Sequence, residues 1–224
     1  MKLSKFLLSI VVASTTLIFA SCKKDSVTGS TAGIKYQLQT TNRSSLLARV
    51  ASGNLLWESG FGSAKEIKFE AKSNNLKVEF KSEVPQRIDL FSSVATLGNV
   101  TLTPGTYTEV EFEVELVPTS SDPALELKGQ FTSNSVTTPV IFRVSTPLEI
   151  ENEVNNVVVT DNSGYKALTT LNLALITKGV TEAMLNNAVR TGGTVVISST
   201  SNPTIYNIIL NNIHDSDEVK FDHD

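Results

Sequence analysis

Ten residues in the middle of the chain alternate without a break. Thr108, Val110, Phe112, Val114 and Leu116 take one set of positions, and Tyr107, Glu109, Glu111, Glu113 and Glu115 take the other. Successive side chains of a β-strand point to opposite faces. A period of two over this length therefore predicts a strand with one face in a core and one in water. Thr103-Pro104-Gly105-Thr106, just before it, reads as the turn that leads in.

The pattern recurs along the chain. Ile67, Phe69 and Ala71 alternate with Glu66, Lys68, Glu70 and Lys72. Leu76, Val78 and Phe80 alternate with Lys77, Glu79 and Lys81, and Ser73-Asn74-Asn75 between the two runs reads as a hairpin turn. Leu46 to Val50 and Leu55 to Glu58 flank Ser52-Gly53-Asn54, a second hairpin signal. Leu125, Leu127 and Phe131 form another strand, and Val140, Phe142 and Val144 one more. Hydrophobic residues make up 40% of the chain, enough for a real core. Many short strands with regular turn signals predict a mainly β chain, with an antiparallel β-sandwich over residues 34–150.

Residues 151–224 read differently, as a small mixed α/β part that packs on the sandwich. Leu168 to Ile176 is a longer apolar strand. Thr181 can cap a short helix whose Met184, Leu185 and Ala188 share a face. Gly192-Gly193 ends it, and Thr194 to Ser198 is a strand. Asn202-Pro203 starts a second helix, with Ile205, Ile208, Ile209 and Asn212 on one face. Val219-Lys220-Phe221 is a last strand. Asp215, Asp217, Glu218, Asp222 and Asp224, with His214 and His223, make a solvated acidic tail. Their spacing fits no calcium loop.

The N-terminus carries an address. Lys2 and Lys5 precede an apolar stretch from Phe6 to Phe19, too short to span a bilayer comfortably. Ala20 and Ser21 follow, directly before Cys22. A charged start, a short apolar run and small residues read as a signal peptide over residues 1–21. Residues 22–33 are rich in Lys, Asp, Ser, Thr and Gly and read as a flexible tether.

This end resembles a bacterial lipoprotein precursor. Leu17-Ile18-Phe19-Ala20-Ser21-Cys22 is similar to a lipobox, with Phe19 where that pattern prefers an aliphatic residue. The resemblance implies that Cys22 becomes the first mature residue and carries acyl chains. It implies an outer-membrane location, on the periplasmic or the cell-surface face, with the membrane as partner through the anchor. Lys23-Lys24-Asp25 looks like the tether start of Bacteroidota lipoproteins. Asp25-Ser26-Val27 resembles their O-glycosylation motif, which makes Ser26 a candidate acceptor; a plain polar linker accounts for it as well. Further on, Ile88-Asp89-Leu90, Leu97 to Leu102 and Pro104-Gly105-Thr106-Tyr107 are similar to uncharacterised Bacteroidota lipoproteins with a predicted β-sandwich. The Pro-Gly-Thr-Tyr turn also resembles transthyretin-like and carboxypeptidase-regulatory-like modules. That likeness implies a scaffold or binding module and brings no catalytic residue with it.

Charge and residue counts narrow the chemistry. Lys and Arg number 19 against 23 Asp and Glu, a formal net charge of −4. The first 21 residues hold two lysines and no acid, so the remainder is more acidic still. A nucleic-acid binder needs the opposite balance. The single Cys leaves no disulfide framework and no cysteine-ligated zinc site. Gly60-Phe61-Gly62-Ser63-Ala64 does not match a nucleophile elbow, and no glycine-rich phosphate loop is present.

The most conspicuous constellation is Glu109, Glu111, Glu113 and Glu115. Same-face residues on a strand lie about 7 Å apart, so the row could bind a cation or a basic partner. A solvated face paired with lysines such as Lys68, Lys72, Lys77 or Lys81 is the stronger expectation, because metal sites draw ligands from convergent loops. Trp57, the only Trp, sits in an apolar run and is expected in the core rather than as a sugar platform. The expectation is a lipid-anchored envelope protein, not an enzyme, with no cofactor and no metal. It would bind an envelope protein or a glycan, or serve as a structural surface module. An adhesin or pilus-type subunit is the alternative, and a glycan hydrolase using carboxylates alone is a third reading.

Overall fold

The computed structural model describes residues 31–41, 55–74, 77–92, 94–161, 163–215 and 217–223. Among them the chain runs through β1 (Ala32–Thr41), β2 (Leu55–Lys72), β3 (Lys77–Asp89), β4 (Ala95–Leu102), β5 (Gly105–Leu116), β6 (Leu125–Ser133), β7 (Val136–Val144), β8 (Leu148–Val159) and β9 (Gly164–Asn172). It continues through α1 (Leu173–Ile176), α2 (Glu182–Asn186), β10 (Arg190–Thr191), β11 (Thr194–Ile197), α3 (Pro203–Asp215) and β12 (Asp217–His223).

The chain is mainly β and forms two sheets. The smaller has the order β12-β9-β1-β4. The larger has the order β10-β11-β7-β6-β2-β5-β8, with β3 on the other edge of β2. Most pairs are antiparallel, as expected, but β1 lies parallel to β9 and β11 parallel to β7. The apolar sets of both sheets meet in one core. Tyr36 of the smaller sheet and Phe69 of the larger both pack on Phe112, at ring separations of 5.1 and 5.0 Å. Burial of large aromatic and aliphatic side chains of this kind stabilises by about 1.5–3 kcal/mol each before the cost of ordering them.

Two tyrosines sit where the chain passes from one sheet to the other. Between β4 and β5, the Tyr107 hydroxyl donates to the Thr103 carbonyl at 2.7 Å. Between β8 and β9, the Tyr165 hydroxyl accepts from the Thr160 amide at 2.8 Å. Tyr107 is buried and Thr108 is exposed, which reverses the faces expected for these two residues. The cause lies across the ladder. The β5–β8 pairing omits Thr108 opposite Asn156, whose φ of 59° is left-handed, and alternation resumes only from Glu109.

The C-terminal part is not laid on a finished sandwich. It supplies β9 and β12 to the smaller sheet and β11 to the larger. The apolar run expected as one strand to Ile176 breaks at Asn172, whose side chain accepts from the Ala174 amide and starts α1. Thr181 caps α2 as expected, accepting from the Met184 amide at 3.2 Å. Gly192 and Gly193, at φ of 57° and 82°, form the two-residue turn between β10 and β11, a geometry that glycine adopts without strain. Asn202 precedes α3, but its side chain reaches back to Val189 and Val196. The last strand expected at Val219-Lys220-Phe221 is β12, but it runs from Asp217 to His223 along β9 and so takes in much of the stretch expected as a solvated acidic tail. At the other end β1 starts at Ala32, which is buried opposite Leu102, so the expected tether runs two residues too far.

Candidate functional site

The outer face of the larger sheet carries an ordered array of charge. Cross-strand register places Glu79, Glu70, Glu111 and Glu153 in one row across β3, β2, β5 and β8. Glu83, Glu66, Glu115 and Glu149 form another. Between them lie Lys81, Lys68, Glu113 and Glu151, and beyond lie Lys77, Lys72, Glu109 and Asn155. Two columns therefore alternate in sign, on β3 and β2, while the β5 and β8 columns hold no lysine.

The expected lysine pairing is observed in a sharper form. Lys68 reaches Glu113 at 2.5 Å, Lys72 pairs with Glu109, and Lys65 lies 3.4 Å from Glu115. Lys77 and Lys81 instead pair with β2, at 2.9 Å from Glu70 and 2.7 Å from Glu66. Among the described residues no cation pairs with Glu111, Glu149, Glu151 or Glu153. Burial, with the neighbouring Glu151 and Glu70 charges, raises the Glu111 pKa above the ordinary carboxylate value. Oxygens of Glu70, Glu109 and Glu111 lie within 4.8 Å of one another. The Lys72 ammonium already binds both Glu70 and Glu109 there, so a side chain supplies the cation.

A second feature lies further along the same face, where β2 changes partners. β5 and β6 pair one after the other with the same edge of β2. The residues between them, 117–124, loop outward. Ser63 holds both ends of that loop: its amide donates to Ala124 and its carbonyl accepts from Val117. Three hollows lie here, two of them lined by the loop, and Arg87 lines all three. The two larger measure about 400 and 570 Å³. Arg87 on β3 lies over the Phe61 ring, with its guanidinium carbon 3.7 Å from the ring centre.

Beside it, Glu126 on β6 is 5% exposed and takes two hydrogen bonds from Arg143 on β7, at 2.9 and 2.6 Å. Lys128 adds an ion pair at 3.0 Å. Burial alone would raise the Glu126 pKa; the bonds from Arg143 and Lys128 outweigh it and hold the carboxyl below its ordinary value. No protein-family model, no curated protein and no solved structure matches this chain at a significant level. The site is therefore described by its own chemistry: a groove with one stacked guanidinium, a neutralised carboxylate and a hydroxyl-bearing rim.

The sequence-predicted residues separate. Glu109, Glu111, Glu113 and Glu115 share the outer face. Cys22 and Ser26 lie outside the described residues. Trp57 is 3% exposed and belongs to the core, as expected. No helix among the described residues is long and apolar enough to cross a membrane. The groove was missed in the sequence. Its available signal was Val117 to Pro123, a turn-rich stretch bracketed by Pro118 and Pro123 between two strands.

Proposed function

We propose that the protein is a lipid-anchored, non-enzymatic binding module of the bacterial cell envelope. Cys22 holds the chain at the outer membrane, and the outer face of the larger sheet meets a glycan or an envelope protein. The groove around Arg87 is the observation that carries this reading. It lies on paired strands, has the volume of a ligand site, and its polar groups converge from β3, β6, β7 and the 117–124 loop. The paired Glu126 is committed to Arg143 and Lys128, which suits a structural role better than proton transfer.

A subunit that polymerises by strand addition is the second reading. The exposed Glu149, Glu151 and Glu153 line β8, the outermost strand on that side of the sheet, and edge charges of this kind oppose edge-to-edge pairing. The test is a binding screen of the full mature chain in detergent against neutral and acidic glycans, with cross-linking in the native envelope. Saturable capture of a glycan or of one envelope protein is the expected result. Turnover of a glycan or ester, or a ladder of self-oligomers as the sole product, overturns the proposal.

A further inference from the structure

We infer that the groove takes a carboxylate-bearing glycan, with the Arg87 guanidinium as the fork that receives the carboxylate; this deepens the binding-module reading and rests on it. The acids lining the groove are already engaged. Glu126 is held by Arg143 and Lys128. Asp122 accepts from the Ser121 hydroxyl at 3.1 Å, and Asp89 accepts from the Phe91 and Ser92 amides. Among the described residues Arg87 has no carboxylate within ion-pair distance. It stacks on Phe61, which limits the freedom it has left to lose on binding, and it lines all three hollows. A planar carboxylate matches that fork.

The rest of the groove selects the class of ligand. A peptide captured by strand addition needs an open backbone edge. β2 has none here: Phe61 to Ser63 pairs with β3 on one side and with β6 and Ala124 on the other. β3 pairs with β2 alone among the described strands, so its far edge is open, and the peptide probe below tests capture there. Within the groove itself recognition falls to side chains. Ser120 and Ser145 offer hydroxyls, and Pro118 offers an apolar face, which suits a sugar ring. The glutamate array does not forbid an acidic ligand. Glu83, the glutamate of the array on the same strand as Arg87, is four residues away, about 13 Å, which is beyond a Debye length of about 8 Å.

The experiment is calorimetric titration of the full mature chain in detergent with an oligogalacturonate, its neutral methyl ester, a sulfated oligosaccharide and a glutamate-rich peptide. The oligogalacturonate is expected to bind at least tenfold more tightly than its ester. Arg87→Lys, which keeps the charge and loses the fork, should weaken binding roughly tenfold, and Arg87→Gln should abolish it. Arg87 is exposed, so both variants should keep the parent melting temperature, which separates lost binding from lost fold. Equal binding of acid and ester, or an Arg87→Gln variant that binds like the parent, overturns the carboxylate assignment while the binding-module reading stands. Preference for the peptide or the sulfated sugar overturns the ligand class in the same way. Absence of binding to all four probes, with no partner cross-linked in the envelope, removes the reading beneath it.

Discussion

Gly129 of β6 lies against Leu56 of β2 so closely that a Cβ added to it would stand 2.0 Å from the Leu56 carbonyl oxygen. The contact follows from the irregular register between Trp57 and Ser59, which presses β2 toward its neighbour. The obstacle is backbone, so no side-chain rotation relieves it. Gly129→Ala should cost about 1–3 kcal/mol or more, read as a lower urea midpoint. An unchanged midpoint would mean that the two strands separate freely here.

Arg143→Met should leave the buried Glu126 carboxylate with Lys128 alone. The expected cost at neutral pH is about 1–3 kcal/mol. The sign with pH follows from the lowered Glu126 pKa. Stability from this group is present above the unfolded value near pH 4.3 and is lost as pH falls through the lower folded value. Parent and variant should therefore converge in melting temperature as pH falls below the unfolded value and through the folded one. A gap as wide in acid as at pH 7 would assign the loss to packing.

Glu111→Gln should have the opposite sign. The carboxylate is partly buried between Glu70 and Glu153, and its pKa is raised, so its charge costs stability above the folded value. The parent should gain stability as pH falls through that window. The amide should stabilise at pH 7 by a few tenths to about 1 kcal/mol, with the advantage gone below about pH 4. Destabilisation at pH 7 would show that Glu111 has a cationic partner.

Cys22→Ser tests the proposed anchor directly. Fractionation of cells should move the protein from the membrane pellet to the soluble fraction. Protease shaving of intact cells carrying the parent then separates the cell-surface face from the periplasmic one. A variant that stays with the membrane overturns the anchor.

Strand identity was legible in the sequence because a half-buried strand writes its burial locally. The set Ile67, Phe69, Ala71 and the set Val110, Phe112, Val114 are all buried as read. The same reading failed at Tyr107 because the cause, a left-handed Asn156, sits on another strand. At the C-terminus the strand at Val219 to Phe221 was legible and only its flanks were not: pairing with β9 extends it over Asp217, Glu218, Asp222 and His223, which carry little apolar character. The glutamate row was visible, but the all-acid rows that cross it exist only once four strands are in register. The groove was hidden for a related reason. Phe61, Arg87, Glu126 and Arg143 are far apart in sequence and meet only because β5 and β6 follow each other along β2.

The position of β1 bears on mechanics. It is an interior strand, paired with β4 on one side and β9 on the other. In the proposed anchored state, a pull from the membrane enters the domain along β1 from Ala32, while a bound ligand pulls on the opposite sheet. The ladder bonds on both sides of β1 run across that force, so they must shear together instead of peeling one by one. Rupture under load is governed by the rate of unfolding rather than by its equilibrium. A domain loaded in this way resists the pull on its anchor through both ladders of β1 at once.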